Sequence, residues 1–324
     1  MGRNRAYYGC LGVALSPPSS FPSSIIEGVQ SVSVNSEKSI QTINFLGNTE
    51  PETYRALSSV TFSFSETLKE FEDILDIGGI NGYVDLYMFV GDDTSDCLDP
   101  EQYIICRYVL LDSISYSLSV DGFFTMERQY SGFTNYVCNT SNSILVPACP
   151  SGTIVRPARK QQFDLSGTSI PGLTNLDNYL IQNINISYSI NRQNIAEPGT
   201  RTPFGSSVQF PIEVTADISI LPKYFYGSPY GSDTFSTSGC NSLTGQVDDL
   251  VLSLCSSNKD ENGDITIGST STLTIQEARI TSVSYSGGDT GGGNQTLNIK
   301  MKSNYDPGID PLIEFPSDAE TGCI

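Results

Sequence analysis

The chain reads as an all-β protein, mainly antiparallel, made of two tandem and similar β-sandwich or barrel units. Three observations predict this. Apolar residues alternate with polar ones at a two-residue period: Val60, Phe62 and Phe64 share a face, as do Val208, Phe210, Ile212, Val214, Ile218 and Ile220. Leu273 with Ile275, and Leu297 with Ile299 and Met301, continue the rhythm, and the Ser, Thr, Asn, Glu and Lys between them suit a wetted or partner-facing side. Strand patterns of the first half also recur, in order, in the second.

The recurrence runs block by block. Val29-Gln30-Ser31-Val32-Ser33-Val34 returns as Ile181-Gln182-Asn183-Ile184-Asn185-Ile186, 152 residues later (181 − 29), and Gly47 meets Gly199 at that offset. Ser58-Ser59-Val60-Thr61-Phe62 is matched to Ser206-Ser207-Val208-Gln209-Phe210. Ile114-Ser115-Tyr116-Ser117 returns as Val283-Ser284-Tyr285-Ser286, and Thr125-Met126-Glu127 as Thr296-Leu297-Asn298. Ordered repetition of this kind is expected of one supersecondary unit copied along a chain, its copies packing side by side or around a ring. The expected units are 1–148, with an N-terminal arm, and 149–324, whose first part, 149–175, is a Ser-, Pro-, Gly- and Thr-rich linker.

Along the chain, Arg3 and Arg5 precede an apolar stretch broken by Gly9 and Gly12, which reads as a structured arm rather than a signal peptide. Arg156 and Arg159 precede the second unit in the same way. Thr67-Leu68-Lys69-Glu70 has capping-box spacing, and Leu68, Phe71, Ile74 and Leu75 form a stripe ending at Gly78-Gly79, so a short helix closing the first core is expected. Asp121-Gly122 and Asn262-Gly263 suit hairpin turns with positive φ. Gly287 to Gly293 reads as a loop.

Composition narrows the chemistry. The 324 residues carry 36 acidic and 17 basic groups, a net charge of −19, with no histidine and no tryptophan. Such a chain is not expected to grip nucleic acid by phosphate neutralisation, though it could surround nucleic acid without binding it. Without histidine, Ser-His-Asp and Cys-His sites and nearly all catalytic zinc sites are excluded. Asp92-Asp93 and Asp248-Asp249 read as solvated acids rather than a glycosidase pair. Asp260, Asn262 and Asp264 around Gly263 read as a hairpin turn rather than a calcium loop. The eight cysteines form no CxxC pair, so zinc is not expected. They read as thiols of a reducing compartment, while the groupings Cys97/Cys106, Cys138/Cys149 and Cys240/Cys255 also allow three loop-closing disulfides. No apolar run is long enough for a membrane helix. The expectation is a non-enzyme with no catalytic, cofactor-binding or metal-binding residue, and no cofactor or membrane partner.

The stretch from Leu110 to Thr125, with Ser113-Ile114-Ser115-Tyr116-Ser117 before the Asp121-Gly122 turn, resembles the strand–turn–strand of tail tube proteins of tailed bacteriophages. The strands at Val29–Val34 and Ser58–Phe64 are similar to that family as well. The resemblance implies a sandwich or barrel with one helix per unit, and a structural virion protein assembled in the host cytoplasm. Most such proteins have one domain and form six-membered rings that stack. A chain with two units implies trimeric, pseudo-hexameric rings closed by edge strands, with the arm and the Gly287–Gly293 loop reaching between rings. Its partners would be further copies, other tail proteins (sheath, baseplate or terminator) and passing genomic DNA, loosely held in a lumen lined by Asp and Glu. Two other classes stay open: a hub, terminator or adhesin on the same fold, with Tyr224-Phe225-Tyr226 and Tyr230 exposed, and a carbohydrate-binding or carbohydrate-cleaving β-sandwich.

Overall fold

In the computed structural model, the described residues are 9–18, 20–43, 52–71, 82–91, 102–133, 137–139, 158–173, 176, 179–195, 203, 205–222, 243–259, 265–286, 296–305 and 312–314. They are nearly all antiparallel strand. The first half contains β1 (Gly9–Ser16), β2 (Val29–Ile43), β3 (Glu52–Thr67), β4 (Val84–Gly91), β5 (Gln102–Ser119), β6 (Thr125–Gly132) and β7 (Val137–Asn139). The second contains β8 (Tyr179–Ser189), β9 (Arg192–Ile195), β10 (Gly205–Val208), β11 (Ile212–Pro222), β12 (Val247–Lys259), β13 (Ile265–Ser286), β14 (Thr296–Tyr305) and β15 (Leu312–Glu314).

One large sheet runs through both halves in the order β12-β13-β14-β11-β8-β5-β6-β3-β2, with β1, β4 and β7 attached beside β5. A smaller sheet holds β15-β10-β9. The strands carrying the sequence blocks take the same order in each half, β2-β3-β6-β5 and β8-β11-β14-β13. Long strands β5 and β13 each serve two neighbours. The first part of β5 pairs with β4 and its last part with β6, just as the first part of β13 pairs with β12 and its last part with β14.

The correspondence extends to the irregularities. The β2–β3 register slips between Val29 and Ser31, and the β8–β11 register slips between the partners of Ile181 and Asn183, at the same 152-residue offset (181 − 29). Gln30 and Gln182 stand at these bulges, and each side-chain amide donates to the carbonyl two residues back, Gly28 and Leu180. A slip at Asp112 in β5 has its counterpart at Thr281 in β13. Two non-glycine residues have positive φ, Tyr108 (54°) and Glu277 (51°), and they share the 169-residue offset (277 − 108) of the Ile114/Val283 block. An aspartate oxygen receives each of their amides: Tyr108 N–H donates to Asp85 at 3.0 Å and Glu277 N–H to Asp249 at 2.9 Å. These carboxylates serve the bends that turn β5 and β13 from one partner strand to the next. Bulges re-aim a strand at the cost of an orphaned amide, which a nearby acceptor satisfies.

One block aligns differently. In β10, Ser206 pairs with Asn194 where, in the first half, Thr53 pairs with Thr42. Val60, Phe62 and Phe64 instead correspond in register to Val214, Ala216 and Ile218. The alternation from Val208 to Val214 is therefore two strands: β10 ends at Val208 and β11 starts at Ile212, with Phe210 37% exposed between them.

The expected helix does not begin at Thr67. That residue ends β3 opposite Thr125, its amide donates to Gly28 (2.9 Å), and the Leu68 amide donates to Phe124 (2.7 Å). Ile74, Leu75, Gly78 and Gly79 lie outside the described residues. The Asp121-Gly122 turn lies within the connection from β5 to β6, without the positive φ expected of it. Among the described residues the helical positions are a 3-10 turn at Lys160–Gln162 and the single residues Leu176 and Leu243.

The core packs on the inward face of the large sheet, from Val60, Phe62, Phe64 and Tyr130 across Ile114, Tyr116, Ile184, Ile186 and Tyr188 to Ile218, Ile299 and Met301. Edge-on rings run Phe71–Tyr116–Tyr188–Tyr305, with centroids 5.9, 6.4 and 6.2 Å apart, so aromatic packing crosses from one half to the other. A smaller cluster of Ala14, Ile25, Tyr87, Phe89 and Ile105 lies under β1. One charged pair enters the main core: Arg128 reaches Glu66 at 2.7 Å, both side chains 6% exposed, with the guanidinium 5.6 Å from the Phe64 ring.

Part of the expected linker is a fixed strap. Ala158 donates to Leu68 and accepts from Phe124. Arg159 lies 4.1 Å over the Phe123 ring. The chain then bridges along β12 at Phe163 with Leu254 and Ser169 with Val251, tying the first half to the second.

Candidate functional surface

Alternation places a polar carpet on the outward face of the large sheet. Four rows cross it. One runs Ser33, Ser63, Gln129, Ser113, Ser189, Glu213, Asn304, and the next Ser31, Ser65, Glu127, Ser115, Ser187, Thr215, Lys302. The others run Thr67, Thr125, Ser117, Asn185, Asp217, Lys300, Ser282 and Ser119, Asn183, Ser219, Asn298, Ser284. Facing hydroxyls on neighbouring strands hydrogen-bond along a row, as Ser31 and Ser65 do at 2.7 Å.

Charge on this face is sparse and largely compensated. Lys302 meets Glu213 at 2.6 Å and Lys300 meets Asp217 at 3.6 Å. Glu37 and Glu127 add two exposed carboxylates, and the exposed Arg279, opposite Lys302, extends the second row, so these positions carry four acids, two lysines and one arginine. Hydroxyls and amides make up most of this face.

Where the two halves meet, Ser113–Ser119 of β5 pair with Ser189–Asn183 of β8. Ile190 N–H extends the ladder to Asp112 at 2.8 Å, and Val120 N–H extends it to Gln182 at 3.2 Å. Arg192 closes one end by donating to the Leu111 carbonyl at 3.3 and 3.2 Å. Burial pushes the neighbouring Asp112 carboxyl above the usual carboxylate range, against the pull of the Ser131 hydroxyl and the Arg192 charge. Burial also lowers the Arg192 guanidinium to about 10, with Asp112 opposing. The Tyr188 hydroxyl, buried near Tyr116 and Tyr305, is raised well above its ordinary value.

The residues weighed for chemistry are scattered. Asp248 and Asp249 start β12, where Asp249 caps the Glu277 bend, a structural duty beyond the solvated reading. Asp92, Asp93, Asp260, Asn262, Gly263 and Asp264 lie outside the described residues, as do Tyr224, Phe225, Tyr226, Tyr230 and Gly287 to Gly293. Cys106 is buried in the first core, and the Cys255 thiol lies 3.9 Å from the Thr270 hydroxyl; Cys97, Cys149 and Cys240 fall outside the described residues. Among the described residues no group of three or more His, Cys, Asp or Glu could hold a metal ion, and no helix is long and apolar enough to cross a membrane. The polar carpet and the β5–β8 junction were not read from the sequence, although the unbroken Ser and Asn at alternate positions carried the signal for the first. A scan against family models finds no match, and no curated protein matches the sequence.

Proposed function

We propose that this chain is a structural virion protein of the tail-tube type, arisen by tandem duplication, whose copies form rings that stack into a hollow conduit for DNA. The observation that carries the reading is the continuous polar carpet on a sheet built from two register-matched halves. Duplex DNA is held where free Lys and Arg replace its counterions. A lining of hydroxyls and amides, in which Lys302 and Lys300 are met by Glu213 and Asp217 and four acids outnumber the three cations, offers little for phosphates to grip. DNA could slide along it. The segment resembling tail tube proteins, Leu110 to Thr125, spans the end of β5 and the start of β6 beside that carpet. Three chains of two similar halves would give six lobes per ring.

Negative-stain electron microscopy of the purified protein tests this. Stacked rings of three chains, with six similar lobes around a hollow centre, are expected. Trimers that never stack would move the role to a hub or terminator. A protein that stays a dispersed monomer at high concentration would overturn the conduit.

A further inference from the structure

The β5–β8 junction is made once inside the chain, yet the repeat supplies both of its surfaces twice. The last part of β5 corresponds to residues 280–286 of β13, and β8 corresponds to β2. Inside the chain these surfaces are joined: β5 has β6 on one side and β8 on the other. At the ends of the sheet they are open. Among the described residues no strand pairs with β2 on the side away from β3, nor with 280–286 of β13 on the side away from β14.

Side-chain burial points the same way. Ile184 and Ile186 of β8 are 1% and 0% exposed, and Ile114 of β5 is 0%. Their counterparts Val32, Val34 and Val283 are β-branched too, but are only half-buried. The apolar face of the junction is thus kept at both ends of the sheet, where these valines pack only partly against the core and no described strand pairs with the open edge. An open edge of this kind is a template for pairing with another chain.

We infer that the outer edge of β13 in one copy pairs antiparallel with the outer edge of β2 in the next, reproducing the internal junction in register. The register follows from the offsets. Ser113 opposite Ser189 becomes Ser282 opposite Glu37, and Ser115 opposite Ser187 becomes Ser284 opposite Asn35. Tyr116 opposite Ile186 becomes Tyr285 opposite Val34. The partner is a second copy of this chain, because the geometry needed is that of the chain's own β8 against its own β5. The contact is head-to-tail, so it builds a ring if the rotation closes and a filament if it does not. This gives the proposed ring its strand pairing, but it rests on the internal repeat and not on the conduit reading.

Paired cysteines test the register. Opposed strand positions lie within the Cα separation a disulfide spans. The variant Asn35→Cys with Ser284→Cys, oxidised mildly at a concentration where the protein assembles, is expected to give a covalent ladder on a non-reducing gel. Peptide mass mapping should locate the 35–284 bond between chains and separate it from links through native cysteines. Ser115→Cys with Ser187→Cys is the internal control and should close within one chain. Ser31→Cys with Ser284→Cys is out of register by four residues and should not link. Absence of the 35–284 bond while the internal control closes would overturn the inference, as would equal linking at 31–284. Mapped linkage without tubes in the microscope would leave the junction standing and sink the conduit. Six-lobed tubes lacking the linkage would do the reverse.

Discussion

The buried pair Glu66–Arg128 is a natural comparison, because the second half carries Ile220 and Ile299 at the corresponding positions. Both charged side chains are 6% exposed, and both isoleucines are fully buried. Removing one partner leaves an uncompensated charge in a core of Phe64, Ile114 and Met126. Glu66→Gln should therefore cost about 3–5 kcal/mol, the range for breaking a buried pair. Replacing both, with Glu66→Ile and Arg128→Ile, copies the solution used in the other half. It should fall within about 1 kcal/mol of the parent or be more stable. The assay is urea unfolding of the unassembled chain, comparing parent, Glu66→Gln, Arg128→Ile and the double variant, with the slope checked for constancy. A large coupling is expected, the double variant being far more stable than the summed single losses. A Glu66→Gln cost below about 1 kcal/mol, or a double variant as damaged as that sum, would refute the argument that desolvation dominates this pair.

Three further outcomes follow from the bends and the junction. Asp85→Ala strips the acceptor from the buried Tyr108 amide and should cost about 1–3 kcal/mol, while Asp249→Ala, at an exposed site, should cost less; thermal midpoints decide it. Glu277→Gly relieves an exposed residue held at φ 51° and should stabilise by roughly 1 kcal/mol in the same assay. Asp112 has a folded pKa raised above its unfolded value, so between the two the native state holds the extra proton and stability falls as pH rises. Asp112→Asn should flatten that slope from about pH 4 upward in urea titrations, and an unchanged slope would assign it to other groups.

Much of the large sheet was legible because its signal is local. The Val29–Val34 and Ile181–Ile186 blocks align residue for residue in register, and so do Ile114–Ser117 with Val283–Ser286, since alternation and side-chain type survive in both. The Ser58–Phe62 match failed because two serines before a Val and a Phe are too common to set a register. Thr67-Leu68-Lys69-Glu70 misled for a different reason. Capping-box side chains satisfy amides that a helix N-terminus leaves open, but here the carbonyls of Gly28 and Phe124, distant in sequence, accept from the amides of Thr67 and Leu68. The bends were readable in principle. Asp85 with Leu86, Met88 and Val90 parallels Asp249 with Leu250, Leu252 and Leu254, although nothing local says that the aspartate faces a backbone amide 23 or 28 residues away. The β5–β8 pairing joins surfaces defined only after each half has folded, so no short window of sequence contains it.

The two kinds of junction also differ where sequence departs from the repeat. Inside the chain, Arg192 holds the Leu111 carbonyl and sits beside Asp112. The corresponding outer positions carry Ile40 and Thr281, so no guanidinium clamp and no buried carboxylate are carried over. The inner junction is thus fastened by a charged group whose removal leaves buried partners unsatisfied, a loss of the costly kind. The inferred outer junction would rest on backbone pairing and on Val32, Val34 and Val283, contacts that screen little with salt. A permanent joint and a repeatable one are what a chain needs if its halves must never part while its copies assemble from a pool. Arg192→Ile should therefore weaken the folded chain yet leave the 35–284 linkage intact in whatever protein folds. Raising the salt should not disperse the assembled copies. Dispersal by moderate salt, with the folded chain unaffected, would place charged contacts at the outer junction and break the parallel drawn from the inner one.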